Sequence, residues 1–428
     1  MLGVLLLIQA HNYMDRQALS LVLQNIKTDL QLTDTQLGLL TGIPFAIFYA
    51  VLGIPMARWA DRGNRVGIIS LSVAIWSVFV ALCGRATSFT QFMLLRAGIG
   101  VGEAGCLPPA QALIADEFPR ATRPWAMSIY MLGGPFSTLV GMFVAGWLTQ
   151  LYGWRTMFML LGLPGLVLTL LARFTLREPR LRGSKAGADE PTPGAALDAA
   201  PPAAPRSTLP EVVRTLWTNH TFRYLLFAFW VQYFLVYGVA QFQPAFFTRS
   251  YGLEIGDLGT RFALAFGLSS LIGVYVGGRF ASRYAANNES LQLKVAAATF
   301  GIFSLTSGLA YLSSSLGLTL VLLAVGTLVV NLATGTLWAM AQSLVPPQMR
   351  AVASASIFLF ANLFGLGLGP LAVGALSDAL QPWLHGESLR YALLFACAGY
   401  WFGTWCLARA SQTIATDLQA AQQYAAAP

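Results

Sequence analysis

Apolar residues in this chain do not alternate with polar ones. They run in long blocks separated by short polar and basic interruptions. A block of about 20 predominantly apolar residues is the length a helix needs to cross a hydrocarbon core of about 30 Å. Twelve such blocks can be counted, near 2 to 23, 36 to 57, 67 to 86, 90 to 113, 126 to 150, 156 to 176, 222 to 247, 258 to 281, 294 to 314, 317 to 343, 352 to 378 and 389 to 409. They fall into six and six around a central polar stretch, which predicts an all-α polytopic membrane protein with two six-helix halves. The halves are expected at residues 1–176 and 213–411, joined by a linker at 177–212 and followed by a tail at 412–428. The first block, LGVLLLI, is short enough to pass for a signal peptide, but no basic segment precedes it and its removal would leave the halves unequal. The first helix is therefore expected to begin near Met1, with a short extension preceding the given sequence.

Composition agrees with this reading. Of 428 residues, 56% are hydrophobic and 10% charged, and mean hydropathy is +0.61, outside the range of water-soluble domains. The net charge of +8 is distributed over alternate loops. Arg58, Arg62, Arg65, Arg120, Arg123, Arg173, Arg177, Arg350 and Arg409 are among the many basic residues on one side, and few lie on the other. By the positive-inside rule the rich side is cytoplasmic, with both termini and the linker there. In a cell this implies the plasma membrane, the inner one where there are two. The basic residues form no stripe or face, so nucleic-acid binding is not expected. Cys83, Cys106, Cys397 and Cys406 lie within spans at no metal-like spacing, and neither a metal nor a cofactor is expected.

The linker, REPRLRGSKAGADEPTPGAALDAAPPAAPRSTLP, is rich in Pro, Ala and Gly, and such a segment buries too little surface to offset its chain entropy. The halves echo one another. ARWADR at 57–62 aligns with GRFASR at 278–283, an offset of 221, and Arg123 aligns with Arg350 at an offset of 227. Parallel repeats with a substrate site between them at mid-depth are one of the standard transporter architectures.

These stretches carry a family resemblance. ARWADRGNR (57–65) resembles the loop signature of the major facilitator superfamily, G-x-L-A-D-R-x-G-R. Ala57, Trp59 and Asn64 depart from it, while Asp61, Arg62 and Arg65 keep it. LLRAGIGVGEAG (94–105) resembles the superfamily's fourth-span pattern, and MLGGPFSTLVG (131–141) is loosely similar to its antiporter motif. NYMDR (12–16), VGEA (101–104) and ALIADEFP (112–119) are similar to the spinster lipid-transporter family. The resemblance implies a transporter and not an enzyme, acting as a monomer among membrane lipids. Its substrate would be small, amphipathic and anionic, of the lysophospholipid or sphingoid phosphate kind. It also implies a conformational latch at Asp61, Arg62, Arg65, Asp116, Glu117 and Arg123, with Asp61 near the start of span eleven and Arg65 reaching Asp116 or Glu117.

Charge inside the membrane points to the chemistry independently. Of 18 acidic residues only Asp15 and Glu103 fall mid-span, and of 26 basic residues only Arg16 and Arg96 do. Each costs about 3 kcal/mol or more there, so they should face the bundle interior and find partners. Asp15 and Arg16, adjacent on one helix, point about 100° apart and cannot be partners of each other. Asp15 is expected to pair with Arg96 or to share a proton with Glu103, a minimal device for proton coupling. Arg16 is expected to face the cavity and hold an anionic headgroup through its planar fork. His11, Asn12, Tyr13, Tyr233, Tyr237, Gln241 and Asn331 are further candidate cavity residues. Two other readings are a uniporter or proton antiporter of another organic anion or drug, and an intramembrane lipid-modifying enzyme. For the last, the three widely separated histidines offer no evident base or metal set.

Overall fold

The computed structural model describes residues 1–119, 122–178, 217–284, 288–345 and 350–426. Most of the linker expected at 177–212 lies outside them. The described chain is built of helices. Span one is Leu2–Leu30. Span two is Asp34–Thr41 continued by Ile43–Arg62, and span three is Arg65–Cys83. Span four is Phe89–Ala104 continued by Leu107–Glu117. Span five starts at Arg123, and span six ends at Thr175. In the second half, span seven is His220–Tyr251, span eight runs from Ile255 to Tyr284, and span nine is Glu289–Leu312. Span ten runs from Leu316 to Ser343, and span eleven from Arg350 to Leu384. Span twelve runs from Ser388 through Tyr400–Ala426, so its helix continues past residue 411 into the expected tail.

Among the described residues, eight stretches are long and apolar enough to cross a membrane. Two of them, of 51 and 64 residues, hold two crossings each. Spans one and four are not among the eight. Span one carries Asp15, Arg16, Lys27 and Asp29, and span four is broken at Gly105 after only 16 helical residues. The chain reverses between spans five and six at Gly153, whose φ of 79° only glycine adopts without strain. Asn64, Asn219 and Asn288 each cap a helix, accepting from Gly67, Phe222 and Leu291. Asn64 and Asn288 do so at the third helix of their respective halves.

The halves meet at the face opposite the chain termini. There Gly38 and Gly42 of span two lie against Pro370 and Gly367 of span eleven, and Gly374 of span eleven against Asp34. A methyl added at Gly38 or Gly374 would fall on a backbone carbonyl of the facing helix. Small residues at this spacing let helix backbones approach closely. Asp34 is the polar centre of the seam, accepting from Lys27, from both Nη atoms of Arg249 at 2.7 Å and from Ser377. Asp378 answers from the other half, accepting from the backbone N–H of Asp34 and from the N–H and hydroxyl of Thr35. Beside this cluster, Gln150 donates to Glu254 and accepts from the Gly256 N–H. The apolar core is continuous across both halves on this side, whereas residues of the second half toward the terminal face form a core of their own. These hydrogen bonds between the halves all lie at this opposite face. The structure is therefore sealed away from the termini.

Candidate functional site

Span one places Asp15 and Arg16 at mid-helix, and span four runs antiparallel to it with Arg96 and Glu103 seven residues, hence about 10 Å, apart on one face. Two ion pairs link these helices. Arg96 Nη1 donates to Asp15 Oδ2 at 3.4 Å, and Arg16 Nη2 donates to Glu103 Oε2. Helical side chains lean toward their own N-terminus, so Arg16 reaches down span one to Glu103, the member of the span-four pair nearer the terminal face. Phe45 of span two lies beneath both guanidinium groups, 4.3 Å from Arg16 Cζ and 5.4 Å from Arg96 Cζ, and Tyr13 and Tyr49 flank Arg16. An aromatic face stabilises a cation without presenting a competing charge.

Asp15 and Arg96 are buried, the Glu103 side chain is fully enclosed, and the Arg16 side chain keeps 11% exposure. Each pair is singly bonded. Asp15 Oδ1, Glu103 Oε1 and the Nε atoms of Arg16 and Arg96 have no hydrogen-bond partner among the described residues. Each carboxylate thus keeps one oxygen at which a proton can add. The expected pairing of Asp15 with Arg96 is present. The expected freedom of Arg16 is not, because in this state Glu103 holds its guanidinium, and among the described residues no hydrogen bond joins Glu103 to Asp15.

Between the halves lies a cavity of about 420 Å³, reached from the first half by Gln17 and Thr138 and from the second by Tyr233, Gln243 and Asn331, among others. Gln17, one residue beyond Arg16, donates to Thr138 at 3.3 Å. Tyr233 and Asn331 of the expected cavity residues line it; the others do not. His11 points into the first half, with its ring centroid 6.2 Å from that of Trp76 and its Nε2 against Gly165 of span six. Asn12 is buried away from the cavity lining, and Tyr13 lies against Arg16. Tyr237 stacks on Tyr233 at 6.0 Å without lining the cavity. Gln241 is buried, and its Oε1 has no hydrogen-bond partner among the described residues. The reason is helical phase. The lining residues of span seven, 232, 233, 235, 236, 239, 240 and 243, follow one broad face of the helix, and Gln241 stands about 200° from Gln243. Gln17 and Thr138 carried no charge to single them out, and this phase was the only sequence signal that separated Gln243 from Gln241.

At the terminal face Arg65 is buried, its Nη1 on Asp116 and its Nε donating to the Ala60 carbonyl at 3.4 Å. The Arg65 backbone N–H donates to Glu178 at 2.7 Å, which puts a carboxylate at the positive end of span three. Arg123 Nη2 donates to the Ala115 carbonyl and so closes the end of span four, while Glu117 is exposed. The side chains of Asp61 and Arg62 lie outside the described residues. These contacts belong to the first half and its continuation at Glu178. The expected contact of Arg65 with Asp116 is made while the opposite face is sealed. Glu178, which falls within the expected linker, is thus tied to the first half.

The model of the Major Facilitator Superfamily matches residues 5–370. An MFS-type efflux pump of Mycolicibacterium smegmatis is 30% identical, over 92% of this chain and 88% of its own length. Protein spinster homolog 1 of Xenopus tropicalis is 26% identical, over 92% of this chain and 77% of its own. Among solved structures, a bacterial homolog of the human lysosomal transporter spinster, in an inward-facing and unoccupied conformation, superposes with a TM-score of 0.85 at 27% identity, covering 97% of each chain. A family match over most of the length, a shared fold and two helix-linking ion pairs beside a cavity between halves lead to one assignment: the chain belongs to the Major Facilitator Superfamily and is a spinster-like transporter.

Proposed function

We propose that this chain is a proton-coupled secondary transporter, and not an enzyme, that moves an amphipathic anionic molecule of the lysophospholipid or sphingoid phosphate kind by alternating access. It would work as a monomer in the plasma membrane with both termini in the cytoplasm. The observation that carries the reading is the Arg16 to Glu103 pair, partly exposed on the Arg16 side and one residue from the cavity-lining Gln17. One guanidinium cannot give its full charge to two anions. While Glu103 is ionised it holds Arg16. When Glu103 takes a proton, Arg16 is released to an anionic headgroup. The deeper Asp15 to Arg96 pair supplies a second carboxyl whose proton affinity depends on how the cavity is solvated. Proton and substrate are thereby linked through one cation.

The efflux pump among the relatives favours a second reading, a uniporter or proton antiporter of another organic anion or drug. Uptake of lysophosphatidate into proteoliposomes, with and without an imposed pH gradient, separates the two. Proton coupling requires that the gradient accelerate flux in the parent protein and cease to do so in Asp15→Asn and Glu103→Gln, because an amide releases no proton. Flux that ignores the gradient in the parent leaves the uniporter.

A further inference from the structure

The cavity does not end at the seam. It continues into the second half between spans seven, nine, ten and twelve, where its inner wall includes Gln243, Ser307, Tyr311 and Tyr400. Tyr311, Tyr400 and Ser307 are buried, at 1% exposure or less. The Tyr400 ring is wedged between Phe300 and Phe303, at 5.4 and 4.6 Å between centroids, which fixes where its hydroxyl lies. Among the described residues that hydroxyl has no hydrogen-bond partner, and Ser307 Oγ, with only the weakly bonding Cys397 thiol beside it, has none either. Gln243 Nε2 donates to the Tyr311 oxygen at 3.2 Å, so the Tyr311 proton remains free to donate. No residue lining the cavity carries a formal charge.

Buried hydroxyls without partners are costly, and a plain apolar pocket would be better served by Phe and Ala at these positions. A charged group entering here would lose its water and find no countercharge. A bare methyl would leave the hydroxyls as unpaired as before. We infer that this inner pocket is a subsite for an uncharged, hydroxyl-bearing end of the transported molecule, bound by the hydroxyls of Ser307, Tyr311 and Tyr400. The inference rests on reading the cavity as the transport site, and within the amphipathic anionic class it favours members whose end remote from Arg16 bears a hydroxyl over those whose tail ends in a bare methyl.

The test uses the full chain in lipid nanodiscs and two probe series that differ only at the far end. Calorimetric titration with 8-hydroxyoctanoate, octanoate and octanedioate should place the hydroxyl compound about five- to tenfold tighter than octanoate, the worth of one or two buried hydrogen bonds, and octanedioate weakest. Tyr400→Phe and Ser307→Ala should each reduce that preference while leaving octanoate binding unchanged, because neither hydroxyl has a nitrogen or oxygen partner to lose. A purely structural role would instead weaken both ligands alike, and that result overturns the subsite. In the uncharged series, 1,8-octanediol should outbind octanol by a similar factor. If the carboxylates fail to bind but the diol keeps its advantage, the anionic substrate falls and the subsite stands. If a terminal hydroxyl confers no advantage in either series, the subsite falls whatever the fate of proton coupling.

Discussion

A buried ion pair contributes little net stability, since desolvation of the two ions offsets most of their attraction, yet removing one partner leaves an uncompensated charge. Asp15 and Arg96, both buried and singly bonded, make this a sharp test. Arg96→Leu should lower stability by about 3–5 kcal/mol, whereas Asp15→Leu combined with Arg96→Leu should recover most of it. Thermal unfolding of the purified variants reads this out. A double variant no better than the single one would show that the pair is a packing element and not a charge pair. Arg16 is different, because its guanidinium is partly exposed and lies over aromatic rings. Arg16→Ala should weaken binding of lysophosphatidate at least tenfold, with Arg16→Lys restoring only part, since an ammonium lacks the planar fork. Equal binding by Arg16→Ala, measured by titration in nanodiscs, would remove it from the substrate site. Mid-span position made all four charges legible in the sequence. Which carboxylate Arg16 meets was not legible, because that depends on the rotation of span four against span one.

At the scale of helices, the seam between spans two and eleven rests on small residues. Gly38 and Gly42 stand one turn apart in LGLLTG and meet the Pro370 and Gly367 carbonyls. A branched side chain at Gly38 has no room unless the helices part. Gly38→Val should therefore favour the conformation open at the face opposite the termini. Spin labels near the ends of spans five and eleven, at Tyr152 and Trp383, both exposed, should then show a longer distance population than in the parent; an unchanged distribution would mean that the seam is not the gate. Spans eight and eleven each contain a π-helical segment, Ala263–Leu268 and Ala361–Leu366. Neither was visible in the hydrophobic pattern, since one wider turn leaves an apolar block apolar.

For the molecule as a whole, closure of that face concentrates on one carboxylate. Asp34 gathers Lys27 from its own half and Arg249 and Ser377 from the other. Asp34→Asn keeps the shape and removes the charge, so it should shift the same label distances toward separation and leave residues at the mid-span cluster untouched. A variant that stays closed would assign the seal to apolar packing alone. The linker predicts a contrasting result: replacing residues 183–205, which lie outside the described residues, with a Gly/Ser chain of equal length should leave flux within about a few-fold, since such a segment supplies reach and not contacts. The sequence by itself determined the number of crossings, the internal repeat, the family signatures and the intramembrane charges, because lipid imposes length and polarity on every span without reference to its neighbours. The tertiary structure alone decided that Glu103 holds Arg16, that His11 and Gln241 turn from the cavity while Gln17 and Ser307 enter it, and that the seal lies opposite the termini. Those outcomes depend on helix phase and on which half faces which, and a hydrophobic block whose residues are apolar on every side does not encode its own rotation.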